Sequence, residues 1–143
     1  IIEIILEYKV EGLIIANTTD QNREKLLDSQ KNESGGLSGN PIRGLSTDLV
    51  KKFSKELKKK ITIIGVGGID SGQSAFDKIT AGASAVQLYT GMVYKGPGVV
   101  KEIKKELISI LKVNKLKNIS DAVGINTWPA IFYELYNFKN YYD

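Results

Sequence analysis

Short, uninterrupted apolar runs alternate along this chain with longer stretches whose apolar residues recur at helical spacing. The short runs are Leu13-Ile-Ile-Ala16, Ile61-Thr-Ile-Ile64 and Ser84-Ala-Val-Gln-Leu-Tyr-Thr90, rich in β-branched residues and read as buried strands. Residues 1–9 read as the end of a helix that starts upstream, which suggests a fragment, and Gly12 is expected to end that helix. After Pro41 and Leu45-Ser-Thr47, a second helix places Leu49, Val50, Phe53 and Leu57 on one face. Its lysines, Lys51, Lys52, Lys55 and Lys58 to Lys60, face outward, and the last of them suit the negative end of the helix dipole. A third helix from about Gln73 buries Ala75, Phe76 and Ile79 and stops at Gly82 in the C′ position. Gly91, Gly96, Pro97 and Gly98 read as a turn, and from about Val99 a last helix carries Val100, Ile103, Leu107, Ile110 and Leu111. A helix followed by three strand–helix units requires parallel strands and an α/β fold.

The connections carry the chemistry. Residues 20–34 are polar without a period and read as a long surface loop, leading to the glycine cluster Gly35-Gly-Leu-Ser-Gly39. The first strand runs into Asn17-Thr-Thr19 and the third ends in hydroxyls. In parallel α/β folds that end of the sheet is where ligands sit. The central strand breaks into Gly65, Gly67 and Gly68 before a helix capped by Asp70 or Ser71. Bare N–H groups ahead of a helix start make a seat for an anion, usually phosphate. The other reading of the same stretch is a glycine-rich turn without a ligand.

Composition narrows the reaction types. The chain has 143 residues, 42% hydrophobic and 25% charged, and contains neither His nor Cys. Thiol nucleophiles, Ser-His relays, disulfides and nearly every zinc site drop out, and no metal site is expected. Any acid or base has to be Asp, Glu, Lys, Tyr or an activated hydroxyl. The net charge of +4 comes mostly from lysines spread over helix faces, so no nucleic-acid partner is expected. No apolar run is long enough to span a bilayer.

Read together, the strand ends resemble dihydroorotate dehydrogenase, the flavin enzyme family of pyrimidine synthesis. The resemblance lies in Gly12-Leu-Ile-Ile-Ala-Asn-Thr-Thr19, Gly35-Gly-Leu-Ser-Gly39, Leu45-Ser-Thr47 and Ile63-Ile-Gly-Val-Gly-Gly-Ile69. It continues through Ser71-Gly-Gln73, Ala81-Gly-Ala-Ser84 and Val86-Gln-Leu-Tyr-Thr90. Asn-Thr-Thr combined with Gln-Leu-Tyr-Thr is similar to the quinone-dependent, membrane-associated class. The resemblance implies a partial TIM (β/α)8 barrel made of its last three strand–helix units, spanning residues 1–124. It implies FMN as cofactor, its phosphate held around Gly39, Gly67 and Gly68 and by Tyr89 and Thr90. Asn17 and Thr18 match the residues that hydrogen-bond the dihydroorotate or orotate ring. Where the family usually has Thr or Ser, this chain has Ala16, which leaves only a backbone contact to the flavin there.

The family's catalytic serine, an FMN-contacting lysine and the helices that dock on the membrane and accept quinone have no counterpart here. No catalytic residue is therefore assigned, and the base is expected in an absent N-terminal half. Association with the membrane is expected to be peripheral. Residues 125–143 form an atypical tail, with Trp128-Pro129 and the apolar run Ala130 to Tyr136, read as a short extra helix or as foreign sequence. The implied reaction is oxidation of dihydroorotate to orotate through FMN with quinone as acceptor. An inactive truncated gene product and another phosphate-binding barrel enzyme are the alternatives. Alone, with two open sheet edges, the chain is expected to be neither a stable monomer nor an oxidoreductase.

Overall fold

In a computed structural model of the chain, residues 1–21 and 23–127 are described. Helix α1 (Ile2–Glu7) precedes strand β1 (Gly12–Ile15), and a single 3-10 turn, Asn40–Ile42, leads into α2 (Arg43–Leu57). Strand β2 (Thr62–Val66), α3 (Gly72–Thr80), β3 (Ala85–Gln87), α4 (Thr90–Lys95) and α5 (Val99–Val113) follow, then a 3-10 turn at Ile119–Ala122. The three strands form one parallel sheet in the order β1-β2-β3. Ile14 pairs with Ile64 and Ile64 with Ala85, so register is continuous across the sheet. Sequential parallel neighbours joined by helices are the arc of a partial (β/α)8 barrel.

Burial along the strands alternates, and the alternation decides what the sheet is. Ile15 and Ile63 point to the helices and join Val50, Leu57, Ala81 and Ala83 in one core cluster. A second cluster of Ile69, Ala75, Val99 and Ile103 fills the space between α3 and α5. On the other face, Ile14 is 61% exposed and Ile64 is half-buried. The strands are thus buried on their helix-facing side only among the described residues. Helices cover one side of the sheet, and nothing among the described residues covers the other. That bare face is the one a closed barrel fills with side chains from its remaining strands.

Several boundaries move from their expected places. Helix α1 ends at Glu7 and Gly12 opens β1, because Lys9 with φ 50° already turns the chain. Helix α2 starts at Arg43, ahead of Leu45, on a 3-10 turn that accepts Pro41 near its start. Its buried stripe contains Ser46 and Ser54 beside Val50 and Leu57, while Leu49 and Phe53 are half-buried against the cluster. Phe76 of α3 is half-buried, and its place is taken by a lysine, Lys78. In α5 the inward residue is Val99, and Val100 is exposed. The third strand is shorter than Ser84 to Thr90, because the chain coils into α4 at Thr90. Gly91 therefore lies inside a helix and not in a turn, where a Cβ would collide with the carbonyl oxygen of Ile69. Gly82 closes α3 as expected, with φ 118°.

Ser71, not Asp70, caps α3: its hydroxyl accepts from the Ser74 N–H in a capping box. Beyond Gly124 the chain stays fastened to the end of α3. The Asn126 N–H donates to the Thr80 carbonyl at 3.0 Å, and the Thr127 hydroxyl donates to the Ala81 carbonyl at 3.2 Å. The extra helix expected at Ala130 to Tyr136 lies outside the described residues.

Candidate functional site

Beyond Val66 the chain leaves the sheet through Gly67 and Gly68, with φ of 102° and 72°. Only glycine adopts such angles at little cost. The loop is fastened from behind by α2. The Ser46 hydroxyl donates to the Gly67 carbonyl at 3.0 Å, and Arg43 Nε donates to the Gly68 carbonyl at 2.9 Å. A Cβ on Gly68 would stand 2.6 Å from Arg43 Cα, so the two segments touch backbone to backbone. A trans peptide points its N–H opposite to its C=O. Turning the Gly67 carbonyl toward α2 therefore turns the Gly68 N–H away from α2. Among the described residues neither that N–H nor the Gly39 N–H has an acceptor.

Two further segments close in on this loop. Gly39, with φ 75°, packs against Thr90, where a Cβ would lie 2.9 Å from the Thr90 methyl. The Thr90 hydroxyl donates to Ser38 Oγ at 3.0 Å, tying the start of α4 to the second glycine cluster. Thr19 and Leu37 form an isolated antiparallel bridge, and Thr18 packs on Gly36 with no room for a Cβ there. Arg23 fixes the intervening loop by donating to the carbonyls of Lys31, Glu33 and Gly35. Asn17 Oδ1 accepts from the Thr18 N–H at 2.8 Å.

The result is a cleft of about 340 Å³ at the C-terminal ends of the strands. Asn17, Thr18, Gly39, Gly67, Gly68, Tyr89 and Thr90 all line it, so every candidate residue comes to one place. Tyr89 sits at the rim, 80% exposed. Ser38 lines the cleft as well and was not anticipated. No Asp or Glu lines it, and Ile42, Val66 and Leu88 supply an apolar wall. Unspent amides and hydroxyls without a carboxylate favour an anion. A larger hollow of about 670 Å³ between Glu24 to Leu26 and the start of α2 lies away from the strand ends. No group of three or more His, Cys, Asp or Glu residues gathers among the described residues.

Residues 1–111 match the family model described as dihydroorotate dehydrogenase. The chain belongs to the dihydroorotate dehydrogenase family. It is similar to the dihydroorotate dehydrogenase (quinone) of Trichodesmium erythraeum, at 47% identity over 87% of this chain and 35% of that protein. The mitochondrial dihydroorotate dehydrogenase (quinone) of Mus musculus is 45% identical over 84% of the chain and 30% of its own length. The ligand-free crystal structure of dihydroorotate dehydrogenase from Eimeria tenella superposes with a TM-score of 0.85 at 42% identity. That match covers 89% of this chain and 35% of the Eimeria protein. The chain thus spans about a third of the length of the curated dihydroorotate dehydrogenases it matches.

Buried against the back of the cleft is a residue that the sequence pattern did not single out. Lys78, on α3, is fully buried and donates to Ser46 Oγ at 2.5 Å, Thr47 Oγ1 at 2.7 Å and the Arg43 carbonyl at 3.2 Å. Burial first, and then the nearby Arg43 charge, lower its pKa from 10.5 to about 8, against opposing pulls from Asp77 and Asp48. Ser46 and Thr47 belong to the Leu45-Ser-Thr47 segment read in the sequence, and Ser46 sits four residues before Val50 on the buried stripe of α2.

Proposed function

We propose that the chain is part of an FMN-dependent, quinone-type dihydroorotate dehydrogenase, contributing the last three strand–helix units of its barrel. Its cleft would hold the phosphate end of the flavin and one edge of the pyrimidine. The observation that supports this most is the convergence of Asn17, Thr18, Gly39, Gly67, Gly68, Tyr89 and Thr90 on a single cleft. It lies where barrel enzymes place phosphate, at the loops after the last strands and a short extra helix. The donors support that group: the N–H groups of Gly39 and Gly68 have no acceptor among the described residues, and with Thr90 donating to Ser38, the Ser38 hydroxyl keeps its own proton for a ligand. FMN, when bound, supplies a two-electron acceptor for dihydroorotate and a donor to quinone.

The chain's own residues bind and orient. The backbone around Gly39, Gly67 and Gly68, with Tyr89 and Thr90, holds the phosphate. Asn17 offers a donor and an acceptor, which suits the amide edge of dihydroorotate or orotate, and Thr18 adds a hydroxyl. No residue of this chain is given the role of base. That role, and the passage to quinone, go to the portion of the relatives that the chain does not cover. Membrane association would be peripheral, and no helix among the described residues is long and apolar enough to cross a bilayer.

The exposed face of Ile14 supports a second reading, in which the piece alone is an inactive packing unit. Titrating residues 1–143 with FMN and with riboflavin, alongside light scattering and quinone reduction, separates the two. The proposed reading expects FMN to bind more tightly than riboflavin, self-association, and no turnover. Equal affinity for both flavins would overturn the phosphate seat. Turnover of dihydroorotate by the chain alone would overturn the placement of the base elsewhere.

A further inference from the structure

We propose that Lys78 is a positioning residue for the phosphate-binding peptide between Gly67 and Gly68, acting through the hydroxyl of Ser46. The inference rests on the reading of the cleft as a phosphate seat.

An ammonium carries three protons and accepts none. Those of Lys78 meet three oxygens, Ser46 Oγ, Thr47 Oγ1 and the Arg43 carbonyl. Neither hydroxyl can return its proton to Lys78, so each has to donate elsewhere. Thr47 donates to the Arg43 carbonyl at 2.7 Å. With Lys78 on the same oxygen, and the Thr47 N–H of the helix ladder there as well, that carbonyl is already crowded with donors. The Arg43 carbonyl also lies 3.1 Å from Ser46 Oγ, but the acceptor left for the Ser46 proton is the Gly67 carbonyl at 3.0 Å. Holding that carbonyl toward α2 keeps the Gly68 N–H turned away from α2. A buried cation on one helix thereby fixes a peptide plane in a loop it does not touch.

Loss of the Lys78 proton reverses the logic. A neutral amine has a lone pair and can accept the Ser46 proton, which frees the Gly67 carbonyl. The charged groups facing Lys78 are Arg43 and Asp48 from α2 and Asp77 from its own helix. β2 packs Gly65 over its stem, where a Cβ would lie 3.3 Å from Cδ. The lowered pKa of about 8 places this change within reach of a titration.

The test compares FMN with riboflavin, which lacks the phosphate, by fluorescence titration of the 143-residue chain and its Lys78→Met, Ser46→Ala and doubly substituted forms. A hydrogen bond to a charged group sets the scale, so the preference for FMN over riboflavin should fall about tenfold in each single variant. Riboflavin affinity should stay unchanged, and the double variant should lose no more than either single one. In the unsubstituted chain the preference should fall as pH rises through about 8, and Lys78→Met should be flat over the same range. Retention of the preference in both variants, or parallel loss of both flavins, would overturn the proposal. If the unsubstituted chain shows no preference for FMN, the phosphate-seat reading fails and takes this inference with it.

Discussion

Arg43 spans from α2 to the loop after β2 and holds Asp70 there, Nη2 to Oδ1 at 2.5 Å, while its Nε engages the Gly68 carbonyl. Both side chains are about a third exposed or less, so the pair is neither a solvated surface contact nor a fully buried one. Lys95 of α4 donates to the Asp70 carbonyl at 2.8 Å, bringing a third element to the same point. Arg43→Met should cost about 1 kcal/mol of stability, the usual scale for such a pair with its hydrogen bonds. Urea denaturation measures it. The same change removes a charge that depresses Lys78, so the Lys78 pKa should rise above its present value of about 8.

Gly68→Ala should damage the anion seat more than a Gly-to-Ala change in an ordinary turn. The new Cβ meets the Arg43 backbone at 2.6 Å, and φ of 72° is unfavourable for any side chain. Flavin retention should be lost while circular dichroism in the helical region is kept. Gly44, on the exposed first turn of α2 with nothing within 4 Å of a Cβ, is the control, and Gly44→Ala should leave both readings alone.

Asn17→Ala should impair orotate binding by flavin-loaded protein more than it impairs flavin binding itself. Asn17 enters the cleft from the end of β1, whereas Gly67 and Gly68 follow β2 and Thr90 opens α4. An unpaired pyrimidine edge in a closed site costs about 1–3 kcal/mol. Orotate-induced change in flavin absorbance reads the effect, and lost flavin with intact orotate response would exchange the roles.

Stability itself should depend on Lys78. Its pKa is lowered from 10.5 to about 8 on folding, so between those values the unfolded chain binds more protons than the folded one. Unfolding then becomes harder as pH rises through that window, and the gain ends near the unfolded value. The shift bounds the effect at about 3 kcal/mol. Chemical denaturation across pH 7–10.5 should show the rise in the unsubstituted chain and its absence in Lys78→Met.

The strands were legible because β-branched runs bounded by Gly and Asn have few other readings: Leu13 to Ala16 against the observed Gly12–Ile15, and Ile61 to Ile64 against Thr62–Val66. The residues lining the cleft were legible for a related reason. Positive φ and close backbone approach leave glycine as nearly the only choice at Gly39, Gly67 and Gly68, so the letter itself marks the place. Helix α4 was hidden because its six residues are too few to show a period. Lys78 was hidden for a different reason. A lysine between Ala75 and Ile79 reads as surface unless the oxygens facing it, which lie more than thirty positions away on α2, are known.

The uncovered face of the sheet sets a conflict for anyone seeking to handle this chain by itself. Placing a polar residue at Ile14, as in Ile14→Thr, would wet a surface that now invites association. In a closed barrel the same position joins the packed interior, and the added hydroxyl there would need a partner or carry the cost of lacking one. A change that improves the solitary form would therefore work against closure of such a barrel.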